Sequence, residues 1–274
     1  MAVLWGLTID THTMAASKEQ VLEYNDLNAE KFPEPVETIK IDKYNLSAAT
    51  VDMKDPVVAL LVGLFTIHSL IRRSLRAVAR QARNIEPTKR AAFLEYAKMT
   101  FETLDGHHHH EEEIFFPIMK PYVDFTESSH EHEEIERLLH QNLEYVKTAE
   151  THLKGGEGSP AWPGEEISST TERLIEVLLP HLQKEETLSC LYARRVPPTV
   201  LEECNNKIEK AVFEELKKQG MIWGTSYQLK HFNKKEKEIF PPMPTLVRLG
   251  FEFFGWLGYG KVLQFGPTEE ELKN

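Results

Sequence analysis

Apolar residues recur at three- and four-residue steps along most of the chain, the period of helices with one buried face. In KDPVVALLVGLFTIHSLIRRSLRAVARQAR, Leu61, Leu64, Phe65, His68, Ile71, Leu75 and Val78 fall on one stripe. Asp55 as N-cap and Pro56 at the first helical position predict where that helix begins. A second helix is predicted from about Pro87 to Lys120, with Gly106 able to loosen it midway. DFTESSHEHEEIERLLHQNLEYVKTAETHL predicts a third, capped by Asp124 or Thr126, with Ile135, Leu138, Leu139 and Val146 on its apolar side.

The run KGGEGSPAWPG, Lys154 to Gly164, reads as a linker. EEISSTTERLIEVLLPHLQKEETLSCLYARR then predicts a fourth helix, in which Pro180 removes a backbone donor and bends the rod just before His181. A further amphipathic helix, roughly Thr199 to Lys218, precedes a tail containing HFNKKEKEIFPPMP and the aromatic, glycine-rich LGFEFFGWLGYG. No strand pattern intervenes. The expectation is an all-α protein: an antiparallel four-helix bundle over residues 55–195, an N-terminal extension over 1–54, and a C-terminal helical and aromatic extension over 196–274 packed on the bundle.

Charge and composition narrow the partners. A formal net charge of -11 gives an overall field that repels nucleic acid and anionic lipid surfaces, so neither is expected as a partner. The two cysteines, Cys190 and Cys204, lack metal-type pair spacing, so no disulfide framework is expected and a reducing, cytoplasmic compartment fits. The apolar stretch Val57 to Ile71 is shorter than the roughly 20 residues of a membrane span and contains His68, so no span is expected. The first residues show no basic leader ahead of an apolar core, hence no expected secretory signal.

The chemistry is concentrated in GHHHHEEEIFFP, Gly106 to Pro117, which is internal and flanked by apolar helical sequence, unlike a purification tag. A histidine and a carboxylate four residues apart share a helix face and can reach one ion. The run offers His107 with Glu111, His108 with Glu112, and His109 with Glu113. Phe115 and Phe116, three and four residues beyond Glu112, favour His108 with Glu112 as the inward pair. His181 and Glu185 form a second pair, with Glu186 as an alternative carboxylate if Pro180 rotates the next turn. His68 and His132 add one ring from each remaining helix. A lone histidine on an apolar face is more often a core residue, and an acidic run more often a solvated face. The convergence of four helices tips the balance toward metal. His231, in KHFNKKE, is expected on the surface.

A lone His, then HxxxE before IFFP, then EHEEI, then HxxxE resembles the hemerythrin-like, HHE cation-binding family over about Asp55 to Arg195. The resemblance implies a non-haem di-iron centre with His68, His108, His132 and His181 as terminal ligands, Glu112 and Glu185 as bridges, and dioxygen as ligand or co-substrate. Oxygen-carrying members have HxxxH on the third helix, whereas here Ser128 stands four residues before His132, and His130 points away. One iron is then expected to lack a nitrogen ligand, which favours chemistry over reversible storage. The expected function is an oxidase or oxygenase acting on a small organic substrate. The alternative is oxygen or iron sensing, binding or storage without turnover, and a zinc-stabilised bundle is a third possibility.

Overall fold

Asp55 caps the first helix as its sequence predicts, its Oδ1 accepting the Val57 backbone N–H at 3.0 Å. The computed structural model describes residues 39–41, 46–47, 49–155, 158 and 160–273, so most of the predicted N-terminal extension lies outside the described residues. Helix α1 spans Pro56–Ala82 and α2 spans Arg90–His110. The α2 rod continues through a π turn, Glu111–Phe115, into a last α turn, Phe116–Met119. Helix α3 spans Thr126–Lys154, introduced by Asp124, whose Oδ1 accepts from the Thr126 N–H at 3.0 Å and its hydroxyl at 2.7 Å. Helix α4 spans Gly164–Tyr192 and runs through Pro180. Helices α5 (Pro198–Gln219), α6 (Met221–His231) and α7 (Thr245–Leu263) complete the fold. No strand occurs among the described residues.

The first four helices surround a common interior, α1 packing on α2 and α4, and α3 on the same two. That interior holds two apolar clusters. One contains Leu70, Ile71, Leu75, Leu104, Ile135, Leu178 and Leu182; the other contains Phe65, Phe115, Phe116, Phe125 and Leu188. Along α1 the change of cluster falls between Phe65 and Leu70, along α2 between Leu104 and Phe115, and along α4 between Leu182 and Leu188. Those gaps hold His68, the histidine run and Glu185. A polar layer is thus clamped between two dry ones. At roughly 1.5–3 kcal/mol for each large apolar side chain buried, the flanking layers sustain a group of buried polar residues that could not hold itself together.

The glycine-rich tail is a regular helix, α7, against α6 and α2. Gly255 explains part of its composition: a Cβ there would lie 2.0 Å from Ser226 Oγ, so only glycine permits this approach. Ser226 Oγ donates to the Phe251 carbonyl at 2.8 Å across the same seam.

His231 is fully buried, contrary to its expected place on the surface. Its Nδ1–H donates to the Tyr227 carbonyl at 2.8 Å, leaving Nε2 to accept the Tyr96 hydroxyl at 2.7 Å. Burial, reinforced by the positive charges of Lys230 and Arg73, pushes the imidazole down to about 3 against the Tyr227 hydrogen bond. Below pH 6.5 the unfolded chain takes up a proton that the folded chain refuses. This group therefore costs the fold about 1.4 kcal/mol per pH unit as pH falls from there toward 3. Denaturant titrations at stepped pH are expected to show a shallower acid slope in His231→Gln than in the parent.

Candidate metal centre

The polar layer is built from helix spacing. On α2 and its π turn, His107, His108 and Glu111 are one, three and four residues apart and share a face; His181 and Glu185 do so on α4. With His68 from α1 and His132 from α3 they form two groups, each with ligand atoms within 4.8 Å of one another. One is His108, Glu111, His132 and His181; the other is His68, His107, Glu111 and Glu185.

The carboxylates lie between the groups. Glu111 Oε1 is 3.2 Å from His107 Nε2 and 4.0 Å from His68 Nε2, while its Oε2 is 3.6 Å from His132 Nε2. Glu185 Oε2 is 3.7 Å from His68 Nε2, and its Oε1 is 3.4 Å from His181 Nε2. Each carboxylate therefore turns one oxygen toward either group. His108 stacks on His132 with centroids 4.2 Å apart and stands edge-on to His181 at 5.7 Å.

Three rings are oriented by outer carboxylates. His68 Nδ1 is 3.0 Å from Glu186 Oε1, which also pairs with Arg72 at 2.8 Å. His132 Nδ1 is 2.7 Å from Glu112 Oε1, which accepts the Ser129 hydroxyl at 2.7 Å. His181 Nδ1 is 3.0 Å from Glu131, whose other oxygen accepts from buried Lys184 at 2.5 Å. An ionised carboxylate only accepts, so these Nδ1 atoms carry the hydrogens and each Nε2 presents a lone pair. His132 and His181 then point two lone pairs at each other across 3.1 Å. That arrangement is repulsive unless a cation lies within reach of both.

The remaining donors make the same demand. Both ring nitrogens of His108 and both oxygens of Glu111 and Glu185 are buried with no hydrogen-bond partner, a costly state in a native interior. Burial, and then the neighbouring imidazoles, hold His107 and His108 well below the ordinary histidine range. Burial also lowers His181, against its hydrogen bond to Glu131. Burial, followed by the charges of Glu111, Glu131 and Glu186, pushes Glu185 well above the carboxylate range. Burial would raise Glu131 too, but hydrogen bonds from His181 and Lys184 bring it below. Neutral imidazoles mixed with carboxylates are a donor set for a first-row transition metal, and the residues fit two such ions.

Five of the six expected residues, His68, His108, His132, His181 and Glu185, converge in this layer. The sixth does not: Glu112 faces His132 Nδ1 from outside, and Glu111 takes the inward place. The π turn is the reason. Its extra residue makes Phe116 the fifth residue after Glu111, so counting back from Phe115 and Phe116 by ordinary α steps lands one position late. The steps Phe101, Leu104, His108, Glu111, Phe115, all buried, carried the correct register. His107, also missed, joins because its neighbour in sequence lies on the adjacent edge of the same face. Glu186 does not displace Glu185 but braces His68.

The two groups hold unequal numbers of imidazoles. Ser128 is buried with an unpartnered hydroxyl where the third helix lacks an imidazole. His108 supplies a ring to the same group from α2, giving three imidazoles there and two in the other group.

The profile of the hemerythrin HHE cation binding domain matches residues 62–189, a span containing every donor described above. The chain belongs to this family, whose domain implies metal binding, typically of iron. It is 31% identical over 216 residues to the Xanthocillin biosynthesis cluster protein F of Aspergillus fumigatus, covering 78% of this chain and 94% of that protein. No solved structure matches significantly.

Proposed function

We propose that residues 55–195 form an antiparallel four-helix bundle around a di-iron centre, and that the protein is an oxygen-dependent oxidase or oxygenase of a small organic molecule. His108, His132 and His181 would hold one ion and His68 and His107 the other, with Glu111 and Glu185 able to serve both. The observation that carries this reading is the pair of opposed, partnerless carboxylates, each with an oxygen toward both imidazole groups. Two bound ferrous ions would supply electrons and a binding position for dioxygen.

The chain's own residues set the conditions. Glu112, Glu131 and Glu186 fix ring orientation and tautomer, so the Nε2 atoms need no rearrangement on loading. The two apolar clusters exclude water from either side. The His68 and His107 group has one nitrogen fewer, and His107, with 9% of its side chain exposed, lies nearer solvent than His68, His132 or His181. Small molecules are expected to approach from that side. The relative's place in a biosynthesis cluster supports turnover over storage.

Metal analysis of freshly purified protein should find two irons per chain, and the iron-loaded protein should consume oxygen in a substrate-dependent manner. A long-lived oxygenated spectrum that reverses under vacuum would make it a carrier. A zinc-only protein would make the centre structural.

A further inference from the structure

Helix α7 exposes a broad apolar arc. Leu246, Leu249, Phe253, Phe254, Trp256 and Leu257 are all solvent-exposed, Leu246 by 82% and Trp256 by 69%. They cover roughly 17 Å of helix length at 1.5 Å per residue. The opposite side carries Gly255 and Val262, buried, and Phe251 and Tyr259, packed against the core. The helix is therefore seated by one face while the other leaves a run of apolar side chains exposed.

The segment that carries this arc reverses the charge of the molecule. Residues 230–261 contain six cations (Lys230, Lys234, Lys235, Lys237, Arg248, Lys261) and three carboxylates, a net +3 in a chain of net charge -11. Of the carboxylates, Glu236 is buried against Arg73 and Glu252 is held by Lys237 at 2.8 Å, while Glu238 is exposed and shares a groove with Lys234, Lys237 and Glu269. Lys234 and Lys235 are exposed before the start of α7, and Lys261 near its end. No carboxylate lies on the exposed arc.

We propose that α7 is a membrane-surface helix, lying in the plane of the headgroups with its apolar arc in the acyl boundary and its flanking lysines on anionic lipid. Aromatic and aliphatic side chains on one side, with lysines at the edges, are the chemistry of interfacial helices.

The test is co-sedimentation of the full-length, metal-loaded protein with vesicles of phosphatidylcholine alone or mixed with phosphatidylserine. The protein should pellet with the mixed vesicles, less so at raised salt, with a blue shift of tryptophan emission that W256F lacks. F253E/W256E should abolish pelleting, and K234E/K235E should weaken it at least about tenfold. Both variants should keep the parent's circular dichroism and metal content, as their positions touch neither core nor metal layer. Failure to pellet with mixed vesicles above the lipid-free control overturns the proposal. So does a concentration-dependent dimer, seen by analytical ultracentrifugation without lipid, that F253E/W256E dissociates.

Discussion

Glu111→Gln is expected to purify without bound metal, whereas Glu112→Gln retains both ions at reduced affinity. Glu111 supplies an oxygen to each imidazole group, so its loss removes a negative charge and a bridge from both at once. A glutamine there adds two N–H donors among nitrogens that need a cation. Glu112 touches only His132 Nδ1 and the Ser129 hydroxyl. Loss of such an outer partner weakens metal binding by about 10- to 100-fold. Metal content by mass spectrometry and affinity by chelator competition separate the two. A metal-free Glu112→Gln beside a fully loaded Glu111→Gln would restore the α-helical count and refute the inward place of Glu111.

Stripping the metal is expected to lower the unfolding free energy by several kcal/mol, increasingly so as pH rises. A site held at a thousand times its dissociation constant contributes about 4 kcal/mol. Without metal, Glu185 is held protonated by burial and by Glu111, Glu131 and Glu186. A raised folded-state pKa gives stability that is complete below 4.5 and lost as pH climbs through the folded value. From 4.5 upward Glu185 therefore weakens the stripped protein until its raised folded value is passed. Metal binding expels that proton, so affinity gains about tenfold per pH unit over the same window. Below 6.5 the lowered His107, His108 and His181 act oppositely, since the unfolded chain binds protons that the folded one does not. These histidines therefore add stability to the stripped protein as pH rises to 6.5, where those of the unfolded chain turn neutral. Melts with and without chelator at stepped pH test this; a gap that narrows as pH rises would contradict it.

What the sequence disclosed follows from how local each signal is. Asp55 and Pro56 mark a helix start within three residues, and the Asp55 cap is formed. His68 on an unbroken apolar stripe, and His181 four residues ahead of Glu185, place their rings by α periodicity alone. The choice between Glu111 and Glu112 depended on a departure from that periodicity that no residue in HHHHEEEIFF advertises. His231 looked like surface because its neighbours are lysines, yet the Tyr96 hydroxyl that it accepts comes from α2, and only tertiary packing brings that partner to it. The net charge of -11 hid a cationic segment because averaging discards position.

The π turn at Glu111–Phe115 divides one rod into two stretches that answer to different demands. Ahead of it, rotation about the axis is dictated by where His107, His108 and Glu111 aim; after it, by how Phe115 and Phe116 nest against Phe125. A straight helix would lock these together, so any change in the aromatic plug would twist the donors. A spare residue between them works like a slipped gear, letting the plug be re-cut for a different guest while the donors stay trained on their ions.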